Sequence, residues 1–168
     1  GVAAEVVIVD NDPDASARTR VEGYDDPRVR YVHEPEPGLA AARNRALAAS
    51  PDSAALAFID DDGRPAPGWV RLLVDTWRSQ RCAAVAGRVL EEYEVQPDAW
   101  IAAGGFFRRR TLPSGTVVPI APAGNLLLDL DLLRRHELRF DPRFGLTGGE
   151  DTLLTRQITD AGGRIVWC

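Results

Sequence analysis

The chain has 168 residues, of which 45% are hydrophobic and 27% are charged, and its formal net charge is −5. This composition is typical of one globular domain with a packed core, and it argues against a disordered chain and against a nucleic-acid-binding protein. All 20 basic residues are arginines, which excludes Schiff-base chemistry on lysine and the lysine of a phosphate-binding P-loop.

The first third of the chain alternates short apolar strands with a helix. The apolar run in EVVIVD (5–10) predicts a buried strand, and Val29–Val32 predicts a second one. A helix is predicted over Leu39–Ala49, because Gly38 stands before it and Pro51 follows it.

The alternation continues to the end of the chain. A strand in AALAFI (54–59) runs into three adjacent acids, and the helix after it has an apolar stripe on one side. Residues 97–120 are mixed and predict a loop with a short helix. The helix with the apolar stripe lies in 67–80. The other predicted elements are a strand in 82–95, a strand and then a helix in 124–138, a helix in 148–163 and a strand in 164–167.

This alternation is typical of the α/β class, and it predicts a mostly parallel sheet with helices on both faces. Residues 1–168 show no internal boundary and are interpreted as one domain. Ligands of such sheets bind beyond the carboxyl ends of the strands. Two acidic turns, Asp10–Asp12 and Asp60–Asp62, follow strands in this way, so a ligand site is expected at that edge.

The acidic turn Asp60–Asp62 suits a hard divalent cation, because Mg²⁺ and Mn²⁺ sites often use one or two carboxylates together with substrate phosphates. A solvated turn, in which Asp60 binds backbone amides, explains the same residues about equally well. An EF-hand loop is excluded, since Phe58 stands where that loop needs an acid. A phosphatase of the haloacid dehalogenase type resembles FIDDDGR (58–64) only loosely, and its motif normally lies on the first strand.

Five segments stand in order along residues 5–167 and carry a more specific resemblance. They are EVVIVDNDPDAS, EPGLAAARNRAL, FIDDDGRPAPGW, AGNLLLDLDLLRR and FDPRFGLTGGEDTLLTRQITDAGGRIVW. In this order they resemble the family 2 glycosyltransferases, which are inverting enzymes of the GT-A fold, a Rossmann-like sheet flanked by helices. A DXD segment alone is a weak signal, but the ordered set covers nearly the whole chain.

The resemblance implies that the donor is a nucleoside diphosphate sugar and that a divalent metal, Mn²⁺ or Mg²⁺, binds its diphosphate. Asp62 is the expected metal ligand, while Asp60 and Asp61 are expected to contact the ribose or a metal-bound water. The alternative for Asp61 is that it only faces solvent. A metal at the diphosphate would neutralise the charge that develops on the leaving group.

The resemblance also places Asp10 on the nucleobase, with Asn11 in the same turn. Arg43 lies on the helix that faces this edge, and its fork of donors suits a base or a phosphate. The alternative for the turn residues is that they only shape the turn. The alternative for Arg43 is an ion pair with Glu34 or Glu36.

Three further residues are expected near the donor because of the same resemblance. Asn44 follows Arg43 on the helix. Gly124 and Asn125 precede an apolar strand that in the family lies near the sugar and the acceptor. Glycine permits a close approach of the backbone to a ligand.

The acidic pair Glu150 and Asp151 stands at the start of a predicted helix. The resemblance assigns Asp151 as the general base, which takes a proton from the acceptor hydroxyl. Glu150 is expected to orient the acceptor or Asp151, and Arg156 is expected to steady the pair. The alternative is helix capping, because acids at a helix N-terminus stabilise it by roughly 0.3–1 kcal/mol.

The predicted function is metal-dependent transfer of a sugar, with inversion, to a hydroxyl of a sugar, a lipid or a small molecule. A nucleotidyltransferase and a non-catalytic module that binds a nucleotide or a sugar are the alternatives. The net charge and the absence of a long apolar run predict a cytoplasmic location, with membrane association as part of a larger protein.

One part of the family pattern has no counterpart in this sequence. In the family, a strand with a Pro-Thr-Tyr-Asn-like turn and then a helix precede the segment of Asp10, and that strand lies in the middle of the sheet. We therefore expect a sheet that is incomplete at the N-terminus. Its unpaired position is expected to permit self-association of the chain.

Overall fold

The structure, a computed structural model, describes residues 3–168. The order of elements along them is β-α-β-α-β-α-β-α-β-β-α-α-β, and a single 3₁₀ turn (Pro142–Phe144) precedes the last helix. None of the described helices is long and apolar enough to span a bilayer. The strands are β1 (Val6–Asp10), β2 (Val29–His33), β3 (Ala55–Ile59), β4 (Ala84–Ala86), β5 (Val117–Val118), β6 (Asn125–Asp129) and β7 (Ile165–Trp167). The helices are α1 (Arg18–Glu22), α2 (Leu39–Ala48), α3 (Trp69–Gln80), α4 (Ala99–Gly104), α5 (Leu130–Arg135) and α6 (Glu150–Asp160).

The strands form two hydrogen-bonded groups. β1 and β2 pair in parallel, and the other five strands lie in the order β3-β6-β4-β7-β5. In the five-stranded group β4 and β7 are parallel, whereas the other three pairings are antiparallel. β6 is antiparallel to β3 and β4. It begins at Asn125, opposite Ile59 where β3 ends. The predicted α/β class with flanking helices is confirmed, but the sheet is mixed rather than mostly parallel.

Strands β1 and β3 each pair with a single strand within residues 3–168. Most of their apolar side chains are only partly buried, whereas all three residues of β4 and of β7 are buried. A strand edge of this kind is open to pairing with another chain. Self-association through such an edge remains a prediction.

Apolar side chains cover both faces of the five-stranded sheet. Leu126 and Leu127 on β6 belong to opposite faces, as the two-residue repeat of a strand requires. α6 packs on one face through Leu154, and α3 packs on the other through Leu73. These contacts fix α6, whose first residues bring the acidic pair to the candidate site.

Candidate active site

Two strand ends meet at the edge where the sequence predicts a ligand. β3 ends at Ile59, opposite Asn125 at the start of β6, so the next residues outward, Asp60 and Gly124, are neighbours. A Cβ atom on Gly124 would lie 2.6 Å from Oδ2 of Asp60. Glycine therefore leaves room at this position for a carboxylate of the chain itself.

Helix α6 brings the acidic pair to the same region. It begins after Gly148 and Gly149, whose φ angles of 74° and 102° lie in the left-handed region that favours glycine. Glu150 is buried, with 2% of its side chain exposed. Oδ2 of Asp151 accepts a hydrogen bond of 3.2 Å from the backbone N–H of Ala123, on the segment that leads into β6.

Asp151 also makes a contact of the kind that the capping interpretation predicts. Its Oδ1 accepts a hydrogen bond of 2.6 Å from the backbone N–H of Thr152, in the first turn of α6. The side chain is nevertheless only partly buried. Capping and proton transfer are therefore compatible for this residue, and its role as a general base stays a prediction.

Arg43 on α2 connects the two acidic groups. Its guanidinium donates a hydrogen bond to Oε1 of Glu150 and lies 3.7 Å from Oδ1 of Asp60. Only 11% of the Arg43 side chain is exposed. The alternative of an ion pair with Glu34 or Glu36 is therefore wrong, because the charge of Arg43 faces acids from two later parts of the chain.

The acidic turn after β3 is open to solvent. The N–H of Gly63 donates to the backbone oxygen of Asp60 at 2.9 Å, which closes the turn. Asp61 and Asp62 are exposed, and neither carboxylate has a hydrogen-bond or ion-pair partner among residues 3–168. The same residues contain no group of three or more His, Cys, Asp or Glu side chains that could hold a metal ion. One or two free carboxylates, without a full set of protein ligands, suit a metal site whose coordination is completed by substrate phosphates.

Asp10, at the end of β1, is held by three hydrogen bonds. Its carboxylate accepts from the backbone N–H groups of Asp12 (3.1 Å) and Ala17 (2.9 Å) and from the hydroxyl of Tyr31 (2.9 Å). Burial alone would raise the pKa of this carboxyl, but the three donors lower the pKa of Asp10 below its ordinary value. Asp10 is thus a charged and fixed group, and its contact with a nucleobase stays a prediction.

Asn11 shapes the loop that precedes α2. Its Nδ2 donates to the backbone oxygens of Glu34 (2.9 Å) and Glu36 (2.6 Å), and its Oδ1 accepts from the N–H of Gly38 (2.8 Å). A Cβ atom on Gly38 would lie 2.9 Å from the backbone oxygen of Gly145, so this loop packs tightly on the loop that precedes α6. Asn11 therefore has a structural role, but its side chain holds the 34–38 loop rather than its own turn. Contact between Asn11 and the donor stays a prediction.

Residues 3–136 match the sequence model of the family described as "Glycosyl transferase family 2". The chain belongs to glycosyl transferase family 2. It is 33% identical over 168 residues to the succinoglycan biosynthesis protein ExoM of Rhizobium meliloti (strain 1021), with 96% of this chain and 53% of that protein covered. This family 2 chain therefore spans about half the length of the curated relative that it matches.

Solved structures with a similar fold bear out the GT-A prediction. GalNAc-T7, solved with UDP, GalNAc and Mn²⁺, has a TM-score of 0.69 at 16% identity, over 98% of this chain and 36% of that one. TarS of S. aureus has a TM-score of 0.69 at 16% identity, over 98% and 48%. The mannosyltransferase PcManGT of Pyrobaculum calidifontis, solved with GDP-Man and Mn²⁺, has a TM-score of 0.63 at 22% identity, over 98% and 45%. At these identities the likeness shows the fold.

Two asparagines that the sequence assigns to the donor form hydrogen bonds with other residues of this family 2 chain. Nδ2 of Asn44 donates to the backbone oxygen of Phe140 at 2.8 Å, and Oδ1 of Asn44 accepts from the backbone N–H of Phe140 at 3.0 Å. Oδ1 of Asn125 accepts from the indole N–H of Trp69 at 2.8 Å, and Nδ2 donates to the backbone oxygen of Arg88 at 2.9 Å. Sequence reasoning missed these partners because no local spacing links them, and donor binding by either asparagine stays a prediction.

The structural role of Asn44 has a measurable consequence. Asn44→Ala should lower the free energy of unfolding by about 1–3 kcal/mol, because it leaves the N–H and C=O of Phe140 without these partners. Chemical denaturation measures the loss. Arg45→Ala is the matched control, since Arg45 is exposed on the same helix, and it should change stability by less than about 0.5 kcal/mol. Equal stability of the two variants would contradict the role of Asn44.

Proposed function

We propose that this chain carries part of the active site of an inverting glycosyltransferase, which moves a sugar from a nucleoside diphosphate sugar to an acceptor hydroxyl. The observation that carries the proposal is the meeting of the Asp60–Asp62 turn with the Glu150–Asp151 helix start around one arginine, in a member of glycosyl transferase family 2. TarS has been solved with UDP-GlcNAc and PcManGT with GDP-Man, which supports a donor of this class. The acceptor would be a sugar, a lipid or a small molecule.

The donor would lie across the two turns that follow β1 and β3. The carboxylate of Asp10 is fixed and charged, so it would accept hydrogen bonds from N–H groups of the nucleobase. Asn11, whose side chain holds the 34–38 loop, would line the same turn. At the other turn, Asp60 would contact the ribose, and the backbone of Gly124, which lies beside Asp60, would approach the sugar.

A divalent cation, Mn²⁺ or Mg²⁺, fits the acidic turn. Asp62 would bind it, and Asp61 would contact a metal-bound water, since neither carboxylate has a partner among the described residues. When bound, the cation neutralises the charge on the leaving diphosphate. GalNAc-T7 and PcManGT have both been solved with Mn²⁺, which supports this assignment.

Asp151 would act as the general base. Its carboxylate takes the proton of the acceptor hydroxyl while the acceptor oxygen forms a bond to the anomeric carbon. The bond from this carbon to the diphosphate oxygen breaks, and its electron pair leaves on the diphosphate. Attack from the face opposite the leaving group inverts the anomeric configuration. The N–H groups of Ala123 and Thr152 orient the Asp151 carboxylate for this step.

Metal-dependent binding of nucleotides tests the donor site. Asp62→Ala should weaken the affinity for a nucleoside diphosphate at least about tenfold in Mn²⁺, because loss of a direct ligand costs no less than loss of an outer-shell partner. In the presence of a chelator the substitution should change little. A panel of nucleoside diphosphates, titrated by calorimetry with and without Mn²⁺, measures both conditions.

Asp52→Ala is the matched control, because Asp52 is an exposed acid that precedes β3, whereas Asp62 follows this strand. This control should bind as the parent does in both conditions. Equally tight binding by the parent in Mn²⁺ and in chelator would contradict a metal in the donor site.

Product analysis separates glycosyl transfer from the alternatives. Glycosyl transfer releases a nucleoside diphosphate from the nucleotide sugar. A nucleotidyltransferase forms or consumes pyrophosphate, and a non-catalytic module binds its ligand without turnover. Release of a nucleoside diphosphate that depends on an acceptor supports the proposal, whereas pyrophosphate chemistry or binding without turnover contradicts it.

A further inference from the structure

We infer that Arg43 is a positioning residue that acts through Glu150, and not a group that binds the donor. The inference rests on the proposed function and deepens it, because it concerns how two parts of the same site are held together. The guanidinium of Arg43 contacts acids from two elements far apart in the chain. One is Glu150 at the start of α6, and the other is Asp60 after β3.

Glu150 depends on Arg43 because it is buried. Only 2% of the Glu150 side chain is exposed, and its Oε2 has no hydrogen-bond partner among the described residues. Its other oxygen, Oε1, receives the hydrogen bond from Arg43. A buried carboxylate without its cation is strongly destabilising. Removal of the guanidinium therefore favours movement of Glu150 out of its present position.

Arg43 is itself held on the side away from solvent. Its Cζ lies 5.6 Å from the centroid of the Phe140 ring. The backbone of Phe140 is in turn bound by the amide of Asn44, the next residue on α2. Since 11% of the Arg43 side chain is exposed, most of it is enclosed by the protein. The N–H groups of Arg43, which the sequence assigns to a base or a phosphate, are directed to the protein's own carboxylates.

The position of Arg43 links the two halves of the proposed reaction. The carboxylate of Asp60, which the proposed function places at the donor, lies within 3.7 Å of the guanidinium. Glu150 is bonded to the same guanidinium and directly precedes Asp151, the proposed base. One side chain thus fixes the base relative to the donor turn. Its loss should slow turnover of bound donor more than it weakens donor binding.

A double-mutant cycle with Arg43→Met and Glu150→Gln tests the inference first through stability. Methionine keeps an unbranched side chain over Phe140, and glutamine keeps the shape of Glu150 without its charge. Arg43→Met alone should raise the unfolding equilibrium constant about a hundredfold, because it leaves a buried charge uncompensated. Adding Glu150→Gln to Arg43→Met should lower the unfolding equilibrium constant again by about tenfold or more, because the buried charge is then gone.

Turnover per folded molecule and donor affinity form the second arm of the cycle. Each single substitution should lower kcat about tenfold or more, and the double variant should be within about threefold of the slower single variant. The affinity of Arg43→Met for a nucleoside diphosphate in Mn²⁺ should stay within about threefold of the parent value. Arg45→Met, at an exposed position of the same helix, is the control and should match the parent in every readout.

The inference and the proposed function fail in different ways. Additive effects of the two substitutions on unfolding, or multiplied effects on kcat, would overturn the inference. So would a fall of more than about tenfold in the donor affinity of Arg43→Met, because Arg43 would then contact the nucleotide itself. A parent protein without turnover of any nucleotide sugar would instead overturn the proposed function, and the stability arm needs no turnover.

Discussion

Asp151→Asn is expected to lower turnover by about 10²–10⁴-fold, the usual contribution of a general base. Asparagine keeps the shape of the side chain but cannot take a proton from the acceptor hydroxyl. Donor affinity should stay near the parent value, because the donor is assigned to the turns at Asp10 and Asp60. One hydrogen bond is also lost, since the new NH₂ group faces an N–H of Ala123 or Thr152. We therefore expect a loss of about 1 kcal/mol in the free energy of unfolding.

The rate has to be expressed per folded molecule of the full-length protein, with donor affinity measured on the same sample. Helix capping alone predicts the loss of stability with nearly normal turnover of the folded fraction. Asp160→Asn is the matched control, since Asp160 is an exposed acid at the other end of α6. Turnover by Asp151→Asn within about threefold of this control would show that another group is the base.

Local signals in the sequence predict the elements better than they predict strand direction. α2 begins after Gly38 as predicted and ends at Ala48, one residue before the predicted end, because glycine and proline mark the limits of a helix locally. The direction of β6 depends on where the chain enters the sheet. An apolar run is typical of a buried strand in either direction, so the sequence does not show that β6 is antiparallel to β3 and β4.

Strand length is a second feature that the local pattern overstates. The sequence predicts a strand within 82–95, but β4 covers only Ala84–Ala86. The residues after Gly87 are exposed and make no further ladder with β6 or β7. Apolar and β-branched residues raise the propensity for a strand, yet a strand extends only as far as its neighbours provide partners.

The contacts within the site depend on residues that no local spacing connects. Asp60 and Glu150 are recognisable because each is an acid at the end or start of an element. Arg43 between them comes from α2. The sequence favours Arg156 as the cation for the acidic pair, but six residues along a helix place a side chain on the far face from Glu150. Arg156 is accordingly exposed.

Phe140→Ala is expected to lower the free energy of unfolding by about 3–5 kcal/mol, because it removes a fully buried ring and leaves a cavity. The Phe140 ring is 0% exposed and meets the ring of Phe58 edge to face, with centroids 5.7 Å apart. Arg43 lies over the same ring. The loss should therefore combine lost apolar burial with lost support for the arginine that binds Glu150. Urea denaturation of parent and variant measures the sum.

Two further variants separate these contributions to the effect of Phe140→Ala. Phe140→Leu keeps most of the buried volume and should cost about 1.5 kcal/mol or less, while it removes the aromatic face under Arg43. Leu146→Ala is the surface control, because Leu146 is 83% exposed, and it should change stability by less than about 0.5 kcal/mol. If Phe140→Ala cost no more than Leu146→Ala, the ring would not be part of the core. If Phe140→Leu also lowered turnover per folded molecule, the ring would matter for the placement of Arg43 as well as for packing.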